Sequence, residues 1–267
     1  MSNSPIGVFD SGVGGLTVLK VLAEHFPSES FLYLGDTARL PYGSKSPETI
    51  RKYSEQNIRF LIQQGVKAVV IACNSASSQI VEKDFDKVPV FTVIEPGAKA
   101  ALHTSEGTIG VLGTRATIAS GLYEKTLLRL SSAEGRSIQI FSQACPLFVP
   151  LAEEGWVDDP ITNLIAYRYC QPLAQKGVDT LILGCTHYPI LKSSIQKAVG
   201  GGVALIDSGS AITLQLKEEF SLGHLSASSS SGQRIDIRTT DISPQFEAMV
   251  HQLMSPLMIH SLEVVTL

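Results

Sequence analysis

The chain has 267 residues, 44% of them hydrophobic, enough apolar material for one large core or two modest ones. Its 21 lysines and arginines stand against 25 aspartates and glutamates, a formal net charge of −4, which argues against a general nucleic-acid binder with a concentrated basic face. No run approaches the ~18 apolar residues of a membrane span, and Met1–Pro5 lacks the basic flank and apolar stretch of a secretory leader. Four cysteines without CxxC spacing suggest neither a disulfide framework nor a structural zinc site, so the expectation is a globular cytoplasmic protein without a metal.

Ile6–Phe9 reads as a buried strand, and Leu16–His25 has helical period. Between them lies Asp10-Ser11-Gly12-Val13-Gly14-Gly15, whose glycines would permit positive φ and close backbone approach to an anion at the helix start. The lysine of a phosphate-binding Walker loop is missing, since Leu16 and Thr17 follow the glycines, and the dinucleotide fingerprint fits poorly. Asp10, a carboxylate at a strand end, calls for a reason. Phe31–Leu34 is the second strand; after it, Asp36 to Gly43 contains a rigid Pro-Tyr-Gly turn and, taken alone, reads as an ordinary surface loop with an Asp–Arg pair. Pro47–Gln64 reads as a helix, and Ala68–Ala72 as a strand running into Cys73-Asn74-Ser75.

Val90–Val93, Ile109–Leu112 and Ile138–Phe141 continue the strand series, with Glu153 and Glu154 after the third, a pair exposed by default whose position leaves a catalytic role open. The helical stretch Pro160–Lys176 then leads to Leu181–Leu183, which runs into Cys185-Thr186-His187, and to a strand at Val203–Ile206. Ser226–Gly232 is a flexible loop by composition. It precedes a strand at Ile235–Arg238, an amphipathic helix at Pro244–Met254 and a last strand at Leu262–Val265. Continuous apolar strands alternating with helices predict an α/β fold with mostly parallel sheets flanked by helices.

Two internal echoes organise the chain. Residues 63–74, QQGVKAVVIACN, align with residues 175–186, QKGVDTLILGCT, at an offset of 112, placing Cys73 on Cys185. More weakly, Ile6-Gly7-Val8-Phe9 lies over Ile109-Gly110-Val111-Leu112, followed by hydroxyls at Ser11 and Thr114. Both echoes favour two related halves. Parallel α/β sheets bind ligands beyond the carboxyl ends of their strands, where both thiols sit, so facing halves would bring them to opposite walls of one cleft.

Each of these cysteines precedes hydrogen-bonding side chains at the mouth of a helix, where thiol pKa values fall, and His187 lies within reach of Cys185. Cys145 and Cys170 lack such a setting, as His25, His103, His224, His251 and His260 lack a comparable partner. Redox dithiols usually sit close in sequence, and a nucleophile with a bystander ignores the repeat. Two general bases on opposite faces of one carbon suit a pseudo-symmetric protein whose substrate and product are mirror images.

DSGVGGLTV at 10–18, DTARLPYG at 36–43, ACNSAS at 72–77 and GCTHYP at 184–189 resemble the cofactor-independent glutamate racemases of the aspartate/glutamate racemase superfamily, in order and over nearly the whole chain. The resemblance implies two pseudo-symmetric domains, 1–96 plus 208–267 and 97–207, with the site between them. It implies interconversion of L- and D-glutamate for peptidoglycan with no pyridoxal phosphate, no nucleic-acid or membrane partner, and the homodimers common in that family. By resemblance, Cys73 acts on D-glutamate with help from Asp10, and Cys185 on L-glutamate with help from His187, Glu153 being a further acid near the second thiol. Asp10, Ser11, Tyr42, Gly43, Asn74, Ser75, Thr186 and His187 match substrate-holding positions, and Thr114 and Thr117 add hydroxyls. The family usually carries Thr where this chain has Ser75, which preserves the hydroxyl. An aspartate racemase and a non-catalytic, two-lobed amino-acid-binding protein are the competing expectations.

Overall fold

The computed structural model describes residues 3–228 and 232–267. Met1 and Ser2 of the leader question, and residues 229–231 of the Ser226–Gly232 loop, lie outside the described residues. The chain opens with β1 (Ile6–Asp10), α1 (Leu16–His25), β2 (Phe31–Gly35), α2 (Pro47–Gln63), β3 (Ala68–Ile71), α3 (Asn74–Ser77), β4 (Asp84–Phe85), β5 (Val88–Thr92) and α4 (Ile94–Thr104). A second unit follows: β6 (Thr108–Gly113), α5 (Arg115–Ala119), α6 (Leu122–Ala133), β7 (Gln139–Ala144), α7 (Phe148–Glu153), α8 (Pro160–Ala174), β8 (Thr180–Gly184), α9 (Lys192–Val199) and β9 (Ala204–Asp207). The chain ends with α10 (Ser208–Ser221), β10 (Ile235–Thr239), α11 (Pro244–Met254) and β11 (Ser261–Val264).

Helix starts follow local chemistry. Ser46, Asp159 and Ser243 accept hydrogen bonds from the N–H groups of Thr49, Ile161 and Phe246 at 3.3, 2.7 and 3.1 Å, each directly before a proline that opens α2, α8 or α11. Strands β1, β2 and β8 are buried along their whole length, which explains their unbroken apolar runs. Among the described residues no helix is long and apolar enough to cross a membrane.

Two sheets result. The first runs β11-β10-β2-β1-β3-β5-β4 and is parallel except for β4; the second runs β7-β6-β8-β9 and is wholly parallel. The first thus contains the order β2-β1-β3-β5, which the second repeats as β7-β6-β8-β9. The registers agree as well. Ile6 pairs with Ala68, and Ile109 pairs with Thr180, so both sequence echoes meet in one equivalent strand pair. β10 extends the first sheet by pairing with β2, and α10 packs against both α1 and α4.

The short strand β4 escaped the sequence reading. It is two residues long, too short for any periodicity, and turns back onto β5 through Asp86 and Lys87, both at positive φ.

Candidate active site

Both sheets direct the carboxyl ends of their central strands toward one cavity of about 180 Å³. Drug-sized pockets run to about 300–1,000 Å³, so this space suits a smaller molecule. Cys73, beyond β3, and Cys185, directly after β8, both line it. So do Ser11, Tyr42, Gly43, Asn74, Ser75, Thr114, Glu153, Thr186 and His187. Asp10 and Thr117 stand behind the wall: Asp10 is fully buried, while Thr117 holds Thr114 at 3.0 Å and Ser75 at 3.3 Å through its hydroxyl. Leu40 and Pro41 from the first unit, and Pro146, Val149 and Pro150 from the second, give the cavity an apolar part that sequence reasoning did not foresee. The proline turn at 146–150 was the available signal.

The two thiols have opposite surroundings. Cys73 caps α3, its sulfur 3.9 Å from Ser11 Oγ. Burial, the Asp10 carboxylate and the negative charge of Cys185 together push its pKa far above the ordinary thiol value, so it rests as a thiol. The sulfur of Cys185 lies 3.9 Å from His187 Nδ1, and His187 Nε2 lies 3.0 Å from Glu153 Oε1. Burial alone would lower the pKa of His187, but its hydrogen bonds to Cys185 and Glu153, with their charges, outweigh that and raise it to about 10. Glu153 faces the histidine; Glu154 lines a separate hollow with Asp241.

Asp10 joins the two sides. Its carboxylate accepts hydrogen bonds from Gly12 N–H at 3.0 Å and from Thr186 Oγ1, in the second unit, at 3.1 Å. Burial raises its pKa despite the nearby His187 and these bonds. Thr17 adds a second tie, donating to the carbonyls of Gly14 at 2.8 Å and Thr186 at 2.9 Å. Ser75 and Thr114 add a third, their hydroxyls 2.8 Å apart.

The glycine loop serves another purpose than the expected one. Gly12, Gly14 and Gly15 are not at positive φ. A Cβ on Gly14 would lie 2.4 Å from His187 Nδ1 and 2.6 Å from Thr186 Oγ1, and one on Gly15 would lie 2.3 Å from Asp10 Cβ. The glycines let the backbone lie flat against Asp10, Thr186 and His187. The loop after β2 also differs from the ordinary surface loop its sequence suggested. Asp36 is fully buried, bonded to Arg39 Nε at 2.8 and 2.9 Å, to Thr240 Oγ1 at 3.1 Å and to the Tyr42 hydroxyl, which also accepts from Asn57 Nδ2 at 3.0 Å. This buried network fixes the Tyr42-Gly43 edge of the cavity. Tyr123 Oη and Ser208 Oγ hold the Asn74 amide at 2.7 and 3.1 Å, while Cys145 and Cys170 are buried in the second unit's core.

Comparison with known proteins supplies the relatives of this arrangement. Residues 13–216 match the sequence profile of the Asp/Glu/Hydantoin racemase family. A glutamate racemase from Geobacter metallireducens is 50% identical over 206 residues, 76% of this chain and 75% of that protein. The crystal structure of glutamate racemase isoform RacE1 from Bacillus anthracis superposes with a TM-score of 0.92 at 35% identity, covering 100% of this chain and 99% of that one. That of the Francisella tularensis glutamate racemase, in complex with D-glutamate, gives 0.91 at 38% identity, covering 100% and 98%.

Two outcomes follow from the geometry. Gly14→Ala displaces His187 from Cys185 and lowers the turnover of the site by on the order of 100-fold, since misplacement near 1 Å costs about that much; a crystal structure of the variant shows the ring moved while far-UV circular dichroism stays native. Nitrogen NMR of His187 finds it charged through pH 8 in the unaltered chain, and Glu153→Gln lowers its pKa. With the folded value raised above 6.5, the stability from this proton is complete below about pH 6.5 and is lost as pH climbs through about 10.

Proposed function

The chain belongs to the Asp/Glu/Hydantoin racemase family, and from that premise we propose that it interconverts L- and D-glutamate in the cytoplasm by a two-base mechanism, supplying D-glutamate for peptidoglycan. The observation that carries the reading is that two thiols from equivalent strands of two sheets open onto one small cavity.

In the L-to-D direction the Cys185 thiolate takes the α-proton, and the Cys73 thiol delivers its own proton to the opposite face of the same carbon. The cycle ends with Cys185 protonated and Cys73 ionised, the state that accepts D-glutamate. Protons and charge balance. His187, held by Glu153, stabilises the thiolate on one side. On the other side the α3 N-terminus and Ser11 meet the sulfur of Cys73, and the buried Asp10 stands near it to take part in its protonation. The α-hydrogen of an amino acid is a very weak acid, so the developing carbanion needs fixed donors around its carboxylate in a dry site. Ser11, Asn74, Ser75 and Thr186, with nearby backbone N–H groups, supply them. Residues 1–96 with 208–267, and 97–207, act as two lobes that close over the substrate and exclude water.

Circular dichroism of L-glutamate incubated with the protein, without added pyridoxal phosphate or metal, decays to zero if this reading is right and stays constant if the protein only binds amino acids. Cys73→Ser and Cys185→Ser each lower kcat/KM by roughly 10²–10⁴-fold, the range for loss of a general acid–base group, while calorimetry still detects glutamate binding. Each variant still eliminates HCl from one stereoisomer of 3-chloroglutamate, whose α-proton goes to the surviving thiolate as chloride leaves. Cys73→Ser accepts the L-configured compound and Cys185→Ser the D-configured one.

A further inference from the structure

The cavity opens beside two hollows of opposite charge. On one flank, Leu40 and Glu153 are shared with a hollow that also carries Glu154 and Asp241 and no lysine or arginine. On the other flank, Gly43, Ser44 and Arg115 are shared with a groove of about 410 Å³ that carries Lys45 and no carboxylate. Arg115, the first residue of α5, is exposed, and among the described residues it is the only lysine or arginine lining the cavity itself. Among the described residues neither Arg115 nor Lys45 forms a salt bridge. Their two charges are therefore not cancelled by a neighbouring acid. In an acidic protein of net charge −4 such a patch is a local exception.

We propose that the groove carrying Lys45 and Arg115 is the approach route for the anionic substrate, with Arg115 as its electrostatic selector at the cavity mouth. The inference rests on the glutamate reading: that amino acid carries two carboxylates and one ammonium, a net charge of −1. Low-dielectric walls focus the field of fixed charges into a cleft, raising the local concentration of an oppositely charged ligand and its capture rate. The acidic hollow beside Glu153 repels the same ligand, so the two hollows act together. Screening sets the range. The Debye length is about 8 Å at physiological ionic strength and about 3 Å at 1 M, so the groove acts in the cell and is silenced by high salt.

The test is the kinetics of glutamate racemisation at low and high salt. Arg115→Gln lowers kcat/KM by roughly 3- to 10-fold at low ionic strength, mainly through KM, and by less than about twofold at 1 M salt. Arg115→Lys, which keeps the charge, restores most of the loss, and Lys45→Gln gives a smaller deficit with the same salt dependence. Lys217→Gln, removing an exposed cation from α10 that lines neither hollow, has no effect. A loss that ignores salt, a loss that Arg115→Lys does not repair, or full activity of Arg115→Gln at low salt overturns the groove alone. Failure of the unaltered chain to racemise glutamate overturns the underlying reading and the groove with it.

Discussion

The hydrogen bond from Thr186 to the buried Asp10 is the contact on which the rest of the site depends. Asp10 ends the central strand of the first sheet; Thr186 follows directly on Cys185, at the end of a central strand of the second. A carboxylate with no exposed surface survives there because Gly12 and Thr186 satisfy it. Once that bond and the Thr17 clamp are made, the loop after β1 lies so close to Thr186 and His187 that a methyl group on Gly14 has no room. The distance of the loop after β1 from Thr186 and His187 is thus set by close backbone packing.

That geometry places a thiol beside a carboxylate on one wall and a thiol beside an imidazolium on the other. The asymmetry is compatible with a reaction whose equilibrium constant is one. In the proposed two-base scheme each thiol is a base in one direction and an acid in the other, and each needs a neighbour that eases the harder role. For Cys73, pushed toward the thiol by burial and by Asp10, the harder role is losing its proton. Cys185 instead has the charged His187 ring 3.9 Å from its sulfur. Because kcat/KM must be equal for the two enantiomers, damage to either wall slows both directions together, and only an irreversible reaction of one stereoisomer reveals which wall was damaged.

Much of this was legible in the sequence. The strands were readable because parallel strands covered on both faces carry unbroken apolar runs, and α2, α8 and α11 because a capping residue followed by proline marks their starts. The repeat between residues 63–74 and 175–186 carried the register: Ala68 and Thr180 occupy equivalent places beside Ile6 and Ile109. What stayed hidden were relations between distant segments. Nothing near Gly14 in the chain announces that His187 lies against it, and the short-range spacing of Asp36 and Arg39 does not show that the carboxylate is buried and shared with Thr240 and Tyr42. The placement of Asp10 and Thr117 behind the wall likewise follows from packing between sheets.

Two bases facing one carbon can be separated from one base serving both faces by following the hydrogen itself. Protiated L-glutamate is incubated in D₂O, and both enantiomers are isolated early in the reaction for mass analysis at the α-carbon. The account requires that newly formed D-glutamate carry deuterium while the remaining L-glutamate still carries protium, since the proton removed by one sulfur is never the one delivered by the other. Protium retained in the D-product, or deuterium accumulating in unreacted L-glutamate faster than D-glutamate forms, contradicts it.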